Sequence, residues 1–172
     1  MTDTTLTASG LWKRMTADQR RRAAHALWRD EHATADQMQA VGLIAQQKKF
    51  RPKTVIGLDD DRKASHLASL ANVPETLAAR LLVLYHIAEQ RPMMGAFLDA
   101  AGIAHDDGMI QDDAVAPDPA KITAAAAVIA RDYPTPDVSL YLATLLWQDP
   151  AAWGALQGRP EVTGPAEERG PA

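Results

Sequence analysis

The chain has 172 residues, of which 47% are hydrophobic and 23% charged, and this is typical of a folded globular protein. Because it contains no cysteine, disulfides, thiolate zinc sites, iron–sulfur clusters and a cysteine nucleophile are excluded. The net charge of −4 argues against a protein whose whole surface binds polyanions.

The N-terminal sequence MTDTTLTASG predicts a flexible tail over residues 1–10. It has neither the basic region nor the apolar region of a signal peptide. No apolar run in the chain approaches the ~18–20 residues of a membrane span. We therefore expect a cytoplasmic protein that does not associate with membranes.

The first half of the chain carries clear helix signals. Thr16 and Thr34 are predicted N-caps, because a threonine hydroxyl can accept a hydrogen bond from a free backbone N–H of the first turn. The segment RPKTVIGL, residues 51–58, is predicted as an extended connector without a partner strand. A third helix is expected from Asp59 or Asp60 to about residue 71.

Residues 75–90 are predicted to form the central helix. Their apolar side chains make one stripe and also cover much of the remaining circumference, which is typical of a helix buried on most sides. The stripe consists of Leu77, Leu81, Leu84, Tyr85 and Ala88. Later helices are expected to begin near Pro92, Asp118 and Asp137, where an aspartate or a proline suits the first turn.

These elements predict an all-α fold, namely a single-domain helical bundle of about seven or eight helices over residues 11–157, without a β-sheet. Residues 158–172, GRPEVTGPAEERGPA, contain few apolar side chains and are predicted to form a disordered C-terminal tail.

The segment from residue 105 to residue 113 is a candidate metal site. One histidine and four aspartates fall within it: His105, Asp106, Asp107, Asp112 and Asp113. An EF-hand needs acids at alternate positions and a late glutamate, whereas these acids form adjacent pairs. We therefore expect a solvated turn in which Gly108 permits positive φ, held to the core by Ile103, Met109 and Ile110. An unrecognised metal-binding or enzymatic site in this loop is the alternative.

The segment KKFRPK, residues 48–53, is the candidate partner-binding site. Its cations are Lys48, Lys49, Arg51 and Lys53. Basic residues at a helix end suit the negative end of the helix dipole, and they also suit an anionic partner such as phosphate, nucleic acid or an acidic protein. The aspartates at 59–61 would cancel part of this positive field. We therefore expect a protein partner or self-association, and we disfavour nucleic acid.

The charge is unevenly divided along the chain. Residues 1–66 hold 12 Lys/Arg and 8 Asp/Glu, a balance of +4, and residues 67–172 hold 6 and 14, a balance of −8. Such asymmetry can mark two surfaces with different partners, and it can also arise by chance in a chain of this size.

Residues 66–82, HLASLANVPETLAARLL, resemble a helix-turn-helix in outline. Ala68 falls in the first helix, Asn72 stands where such motifs usually carry glycine, and Val73 follows it. The resemblance implies a DNA-associated protein whose second helix reads base edges. The first turns of that helix offer Glu75, Thr76, Ala79 and Arg80. Because only one of these is a cation, DNA binding is kept as an alternative and not as the main hypothesis.

No catalytic motif is present in the sequence. The remaining histidines lie outside any nucleophile elbow, histidine–glutamate metal motif or glycine-rich phosphate loop. We therefore predict a helical interaction or oligomerisation module without catalytic activity and without a cofactor, while an unrecognised enzyme remains the other class considered.

Overall fold

The computed structural model describes residues 5–111 and 117–164. Over these residues the protein forms ten α-helices, eight of them with seven or more residues, which confirms the predicted all-α class. The chain divides into two compact units, Met1–Glu89 and Gln90–Ala172. The sequence does not mark this boundary, because a single residue, Gln90, separates the two helices that meet there.

The first unit contains six helices. They are α1 (Ala8–Arg14), α2 (Ala17–Arg29), α3 (Thr34–Lys48), α4 (Pro52–Ile56), α5 (Asp60–Ala68) and α6 (Glu75–Glu89). Helix α6 packs against α1, α2 and α3, and this confirms its predicted place in the core. Its buried face differs from the predicted stripe: Leu82 and His86 are buried, whereas Leu84 is half-buried and Ala88 is exposed.

The N-terminal segment is ordered from within the predicted tail, because α1 begins at Ala8. Trp12 is fully buried, and its indole N–H donates to the Leu70 carbonyl oxygen at 3.0 Å. The Glu75 carboxylate accepts hydrogen bonds from the backbone N–H groups of Ala8 at 2.6 Å and Ser9 at 2.9 Å. The predicted tail over 1–10 is therefore wrong for residues 8–10, since Thr7 caps this helix locally by accepting from the Gly10 N–H and Glu75 bonds two further N–H groups of its first turn.

The hydrogen bonds to Glu75 predict a specific acid sensitivity. The pKa of Glu75 lies below its usual value of 4.5, chiefly because the Ser9 N–H stabilises the carboxylate. A lowered carboxyl pKa contributes stability that is present above pH 4.5 and is lost as the pH falls through the folded-state pKa. Glu75→Gln should therefore flatten the acid limb of a plot of melting temperature against pH. The control Glu31→Gln, at an exposed position, should leave that limb as in the wild type. An unchanged acid limb in Glu75→Gln would contradict the stabilisation of α1 by the Glu75 carboxylate.

Two of the predicted signals in this unit have different outcomes. Thr16 caps α2 with a capping box, in which its hydroxyl accepts from the Gln19 N–H and the Gln19 side chain accepts from the Thr16 N–H. Thr34, in contrast, is the first residue of α3, and no side-chain hydrogen bond caps that helix. The predicted connector at 51–58 is also wrong in part, because it contains α4, whose Val55 is fully buried.

The second unit contains four helices, a 3-10 helix and a hairpin. They are α7 (Arg91–Ala101), β1 (His105–Asp106), β2 (Met109–Ile110), α8 (Pro119–Asp132), α9 (Thr135–Gln148), the 3-10 helix Gly154–Leu156 and α10 (Pro160–Thr163). Helix α7 packs on α8, and every residue from Val138 to Leu146 of α9 is buried.

The start of the predicted C-terminal tail is also ordered. Helix α10 lies against α9, where Val162 is buried and the Ser139 hydroxyl donates to the Val162 carbonyl oxygen at 2.7 Å. The predicted disorder is therefore wrong for Pro160–Thr163, because one valine and one hydroxyl contact dock a short helix. Of the other residues in that prediction, 158, 159 and 164 are described, and residues 165–172 lie outside the described residues.

The prediction that the fold contains no β-sheet is wrong, because the second unit contains one small hairpin. Strands β1 and β2 pair antiparallel through a two-residue turn, with φ of 47° at Asp107 and 85° at Gly108. Positive φ at both central residues is the pattern of a type I′ turn, for which Asp-Gly is a preferred sequence. A Cβ at position 108 would lie 2.9 Å from the Arg91 carbonyl oxygen and 2.9 Å from the Met94 Cβ.

Both the backbone conformation and the close neighbours at position 108 therefore require glycine. Gly108→Ala should lower the free energy of unfolding by about 1–3 kcal/mol, because it adds both backbone strain and a backbone collision. Urea denaturation followed by circular dichroism measures the loss. The matched control is Gly154→Ala, where an added Cβ meets nothing within 4 Å. A loss no larger than that of the control would contradict the packing of the turn against α7.

Candidate functional site

The candidate site is the turn between α3 and α4. Helix α3 ends at Lys48, and Lys49 follows in the left-handed conformation with φ 59° and ψ 37°. Its N–H and that of Phe50 both donate to the Ala45 carbonyl oxygen, which closes the helix. Pro52 then starts α4 at its first position. This sharp change of direction gathers the charged residues of the segment on one turn.

We call this turn the basic surface, and it combines cations with apolar groups. Its members are Lys48, Lys49, Phe50, Arg51, Lys53 and Ile56. The four cations, which are the predicted partner-binding residues, are all exposed. None of them forms an ion pair with any residue of the described ranges 5–111 and 117–164.

The aspartates that follow the basic surface are engaged with other partners. Asp59 caps α5 by accepting from the Arg62 N–H at 2.8 Å. Asp60 lies 3.8 Å from the Lys63 Nζ, and Asp61 lies 3.4 Å from the His25 Nε2. Arg62 and Lys63 thus compensate part of the charge of Asp59 and Asp60, and within the described residues none of the three aspartates makes an ion pair with the basic surface.

The basic surface also exposes apolar side chains. Phe50 is 38% exposed and Ile56 is 50% exposed. The Phe50 ring contacts the His66 ring edge-on, with centroids 5.3 Å apart, so α5 supports one side of it. Lys53 and Ile56 lie one helical turn apart on α4 and therefore share a face. Exposed apolar groups rimmed by charged side chains mark interaction sites on protein surfaces.

Two of the four side chains that the helix-turn-helix hypothesis assigns to base reading make contacts within the protein instead. Glu75 caps α1, and Arg80 forms ion pairs with Asp30 at 3.0 Å and with Asp36 at 3.5 Å. Arg80 was the single cation available to read bases. Because α6 also packs against three other helices of its unit, these contacts count against base reading through this segment.

The acidic segment forms the hairpin described above. The His105 Nε2 lies 2.7 Å from the Asp99 Oδ1, and the His105 Nδ1 accepts from the Gly108 N–H at 3.0 Å. The acceptor role of Nδ1 places the proton on Nε2, and both ring nitrogens are therefore engaged. Within the described residues no group of three or more His, Asp or Glu side chains could hold a metal ion.

The hairpin supports the predicted turn but corrects its anchoring. Ile103 is buried, as expected, whereas Met109 and Ile110 are 40% and 41% exposed. Asp112 and Asp113, the last two members of the predicted cluster, lie outside the described residues. The absence of bound metal at this loop stays a prediction, which adding calcium, magnesium or zinc to a thermal melt can test.

The described residues form an all-α fold in which the turn between α3 and α4 is basic and exposed. In the part of the chain that the structure describes, no helix has the length and apolar character needed to cross a membrane. Comparisons with protein-family models, with curated proteins and with solved structures find no match for this chain.

Proposed function

We propose that the protein is a non-catalytic interaction module whose basic surface binds an acidic protein surface. The observation that carries the proposal is the set of four exposed cations that make no ion pair in the described chain. Like charges this close in sequence repel one another, and an acidic partner relieves that repulsion. Such a patch also steers an acidic partner during diffusional encounter.

The apolar members of the basic surface favour protein over nucleic acid. Burying Phe50 and Ile56 against a partner contributes roughly 25 cal/mol per Å² of apolar area. A phosphate backbone offers no apolar surface to Ile56, and the overall charge of −4 opposes a long polyanion. The proposed partner is therefore a protein. The proposed cytoplasmic location remains a prediction from the sequence.

The left-handed conformation of Lys49 has a cost in stability that a glycine would remove. A left-handed residue other than glycine costs roughly 1–2 kcal/mol, and glycine is the usual residue at this position of a helix end. Lys49→Gly should therefore raise the free energy of unfolding by about 0.5–1 kcal/mol while it removes one cation. In this variant the free energy of unfolding should rise, whereas the affinity for an acidic partner should fall. A destabilised Lys49→Gly would contradict the left-handed assignment.

A defined acidic probe tests the proposal. A fluorescein-labelled peptide of alternating glutamate and leucine should raise its anisotropy on binding the full chain, and added salt should weaken binding. Changing Lys48, Lys49, Arg51 and Lys53 to alanine should weaken binding about tenfold or more. The matched control changes Lys13, Arg21, Arg29 and Arg131 to alanine. These control residues are also exposed and make no ion pair in the described chain.

Two outcomes overturn the proposal. Equal peptide binding by the wild type and the four-alanine basic-surface variant would remove the basic surface from the interaction. Micromolar binding of duplex DNA with a log–log salt slope of roughly −3 to −4, flattened by the same substitutions, would replace the protein partner with nucleic acid.

A further inference from the structure

Exposed apolar side chains concentrate at two places in the described chain. The large exposed apolar residues are Met38, Phe50, Ile56, Met109 and Ile110. Two of the five belong to the basic surface and two to strand β2 of the hairpin, and only Met38 lies elsewhere. Both places combine apolar groups with charge, but the charges are of opposite sign.

The hairpin forms an acidic apolar surface, which we call the acidic hairpin and define by Asp106, Asp107, Met109 and Ile110. Asp106 is exposed and makes no ion pair within the described residues. The Asp107 side chain is 72% exposed, although it lies 3.4 Å from the Arg91 Nη1. Successive strand residues point to opposite faces, so Met109 and Ile110 give the acidic hairpin an apolar group on each face.

The acidic hairpin has a fixed shape before any partner arrives. The His105 ring is bonded at both nitrogens, and Gly108 sits against the first turn of α7. A rigid presenting element loses little conformational entropy on binding, which favours a stable contact. The surrounding unit is also strongly acidic: residues 90–172 hold 5 Lys/Arg and 12 Asp/Glu, a balance of −7, against 13 and 10, or +3, in residues 1–89.

We propose that the acidic hairpin of one copy binds the basic surface of a second copy, so that the chain associates with itself head to tail. This inference rests on the proposed function and names its partner. The carboxylates of Asp106 and Asp107 meet the four unpaired cations. Met109 is paired with Asp106 across the hairpin and so shares its face, and it covers Phe50 and Ile56. Because the two surfaces differ, the contact is heterologous, and it either closes into a ring or continues as a chain of copies.

Sedimentation velocity on the full chain tests the inference. The average mass of the wild type should rise with protein concentration and fall with added salt. The basic-surface variant K48E/K49E/R51E/K53E should lose self-association by about tenfold or more, and so should the hairpin variant D106K/Q111K. Gln111 is the exposed residue that directly follows β2, and this variant leaves Asp107 in its left-handed conformation. The control that reverses Lys13, Arg21, Arg29 and Arg131 to glutamate should associate like the wild type.

A mixture of the two variants gives the decisive result. The glutamates on the basic surface of one variant now complement the lysines on the hairpin of the other. We therefore expect the equimolar mixture to form a complex that neither variant forms alone, which a misfolded variant could not do. A wild type that stays monomeric at every concentration, or a mixture that does not associate, overturns the inference.

The failure of this inference is distinguishable from the failure of the proposed function. If the chain is monomeric but the glutamate–leucine peptide still binds through the four cations, the interaction module stands and only the second copy is lost. If changing those cations also leaves peptide binding unaltered, both the proposed interaction module and the proposed self-association are wrong.

Discussion

Trp12→Ala should lower the free energy of unfolding by about 3–5 kcal/mol, the usual cost of truncating a large buried aromatic side chain. Trp12 is fully buried in the first unit, and its indole N–H bonds the Leu70 carbonyl oxygen. The substitution therefore leaves a cavity and an unpaired carbonyl. Urea denaturation followed by circular dichroism measures the loss.

The neighbouring Lys13→Ala is the matched control for Trp12. Lys13 is exposed on the same helix, so its removal should change stability by about 0.5 kcal/mol at most. A Trp12→Ala loss below ~1 kcal/mol would show that α1 is not docked on the first unit, and would restore the predicted tail.

Phe97→Ala should have an effect of similar size in the second unit, about 3–5 kcal/mol. The Phe97 ring is fully buried, with its centroid 5.5 Å from that of Tyr141 in an edge-on contact and 5.9 Å from that of Trp153. Such aromatic contacts add to the apolar area that is lost on truncation. The fluorescence of the tryptophans during urea denaturation reports the change.

The exposed Ala100→Ser, on the same helix as Phe97, should shift the midpoint by much less. Equal losses for the two α7 variants would contradict the central place of Phe97 in this unit.

Local signals in the sequence predict the helices where the helix carries its own cap. Thr16 caps α2 through Gln19, Asp118 caps α8 by accepting from the Ala120 N–H, and Gly102 ends α7 with φ of 70°. Each of these contacts joins residues within one turn, so the sequence pattern alone contains it.

Among the elements that were not predicted from the sequence are the start of α1, α10 and the hairpin. Helix α1 has a local N-cap in Thr7, but its attachment to the first unit depends on Glu75, and α10 is held by Ser139. Neither of these two distant pairings is visible from local sequence. The hairpin, in contrast, could have been predicted from Asp107-Gly108 between short flanking segments, because Asp-Gly is a strong signal for a tight hairpin turn.

The candidate site was predictable in its charge but not in its surroundings. The four cations of residues 48–53 are exposed, in agreement with the predicted patch. Asp60 faces Lys63 three residues along the same helix, whereas helix packing decides that Asp61 of α5 faces His25 of α2, which a charge count along the chain cannot show. The exposure of Met109 and Ile110 was also hidden, since apolar residues beside a turn are ordinarily expected to face the core.

The association rate of the acidic peptide across a range of ionic strength tests the central claim most directly. If the basic surface is the docking site, the rate constant for the wild type is high in low salt and falls as salt rises, because electrostatic steering is screened. The variant with Lys48, Lys49, Arg51 and Lys53 changed to alanine should associate slowly at every ionic strength while its circular dichroism stays that of the wild type. Identical rates and identical salt dependence for the two proteins would contradict the assignment of the α3–α4 turn as an interaction surface.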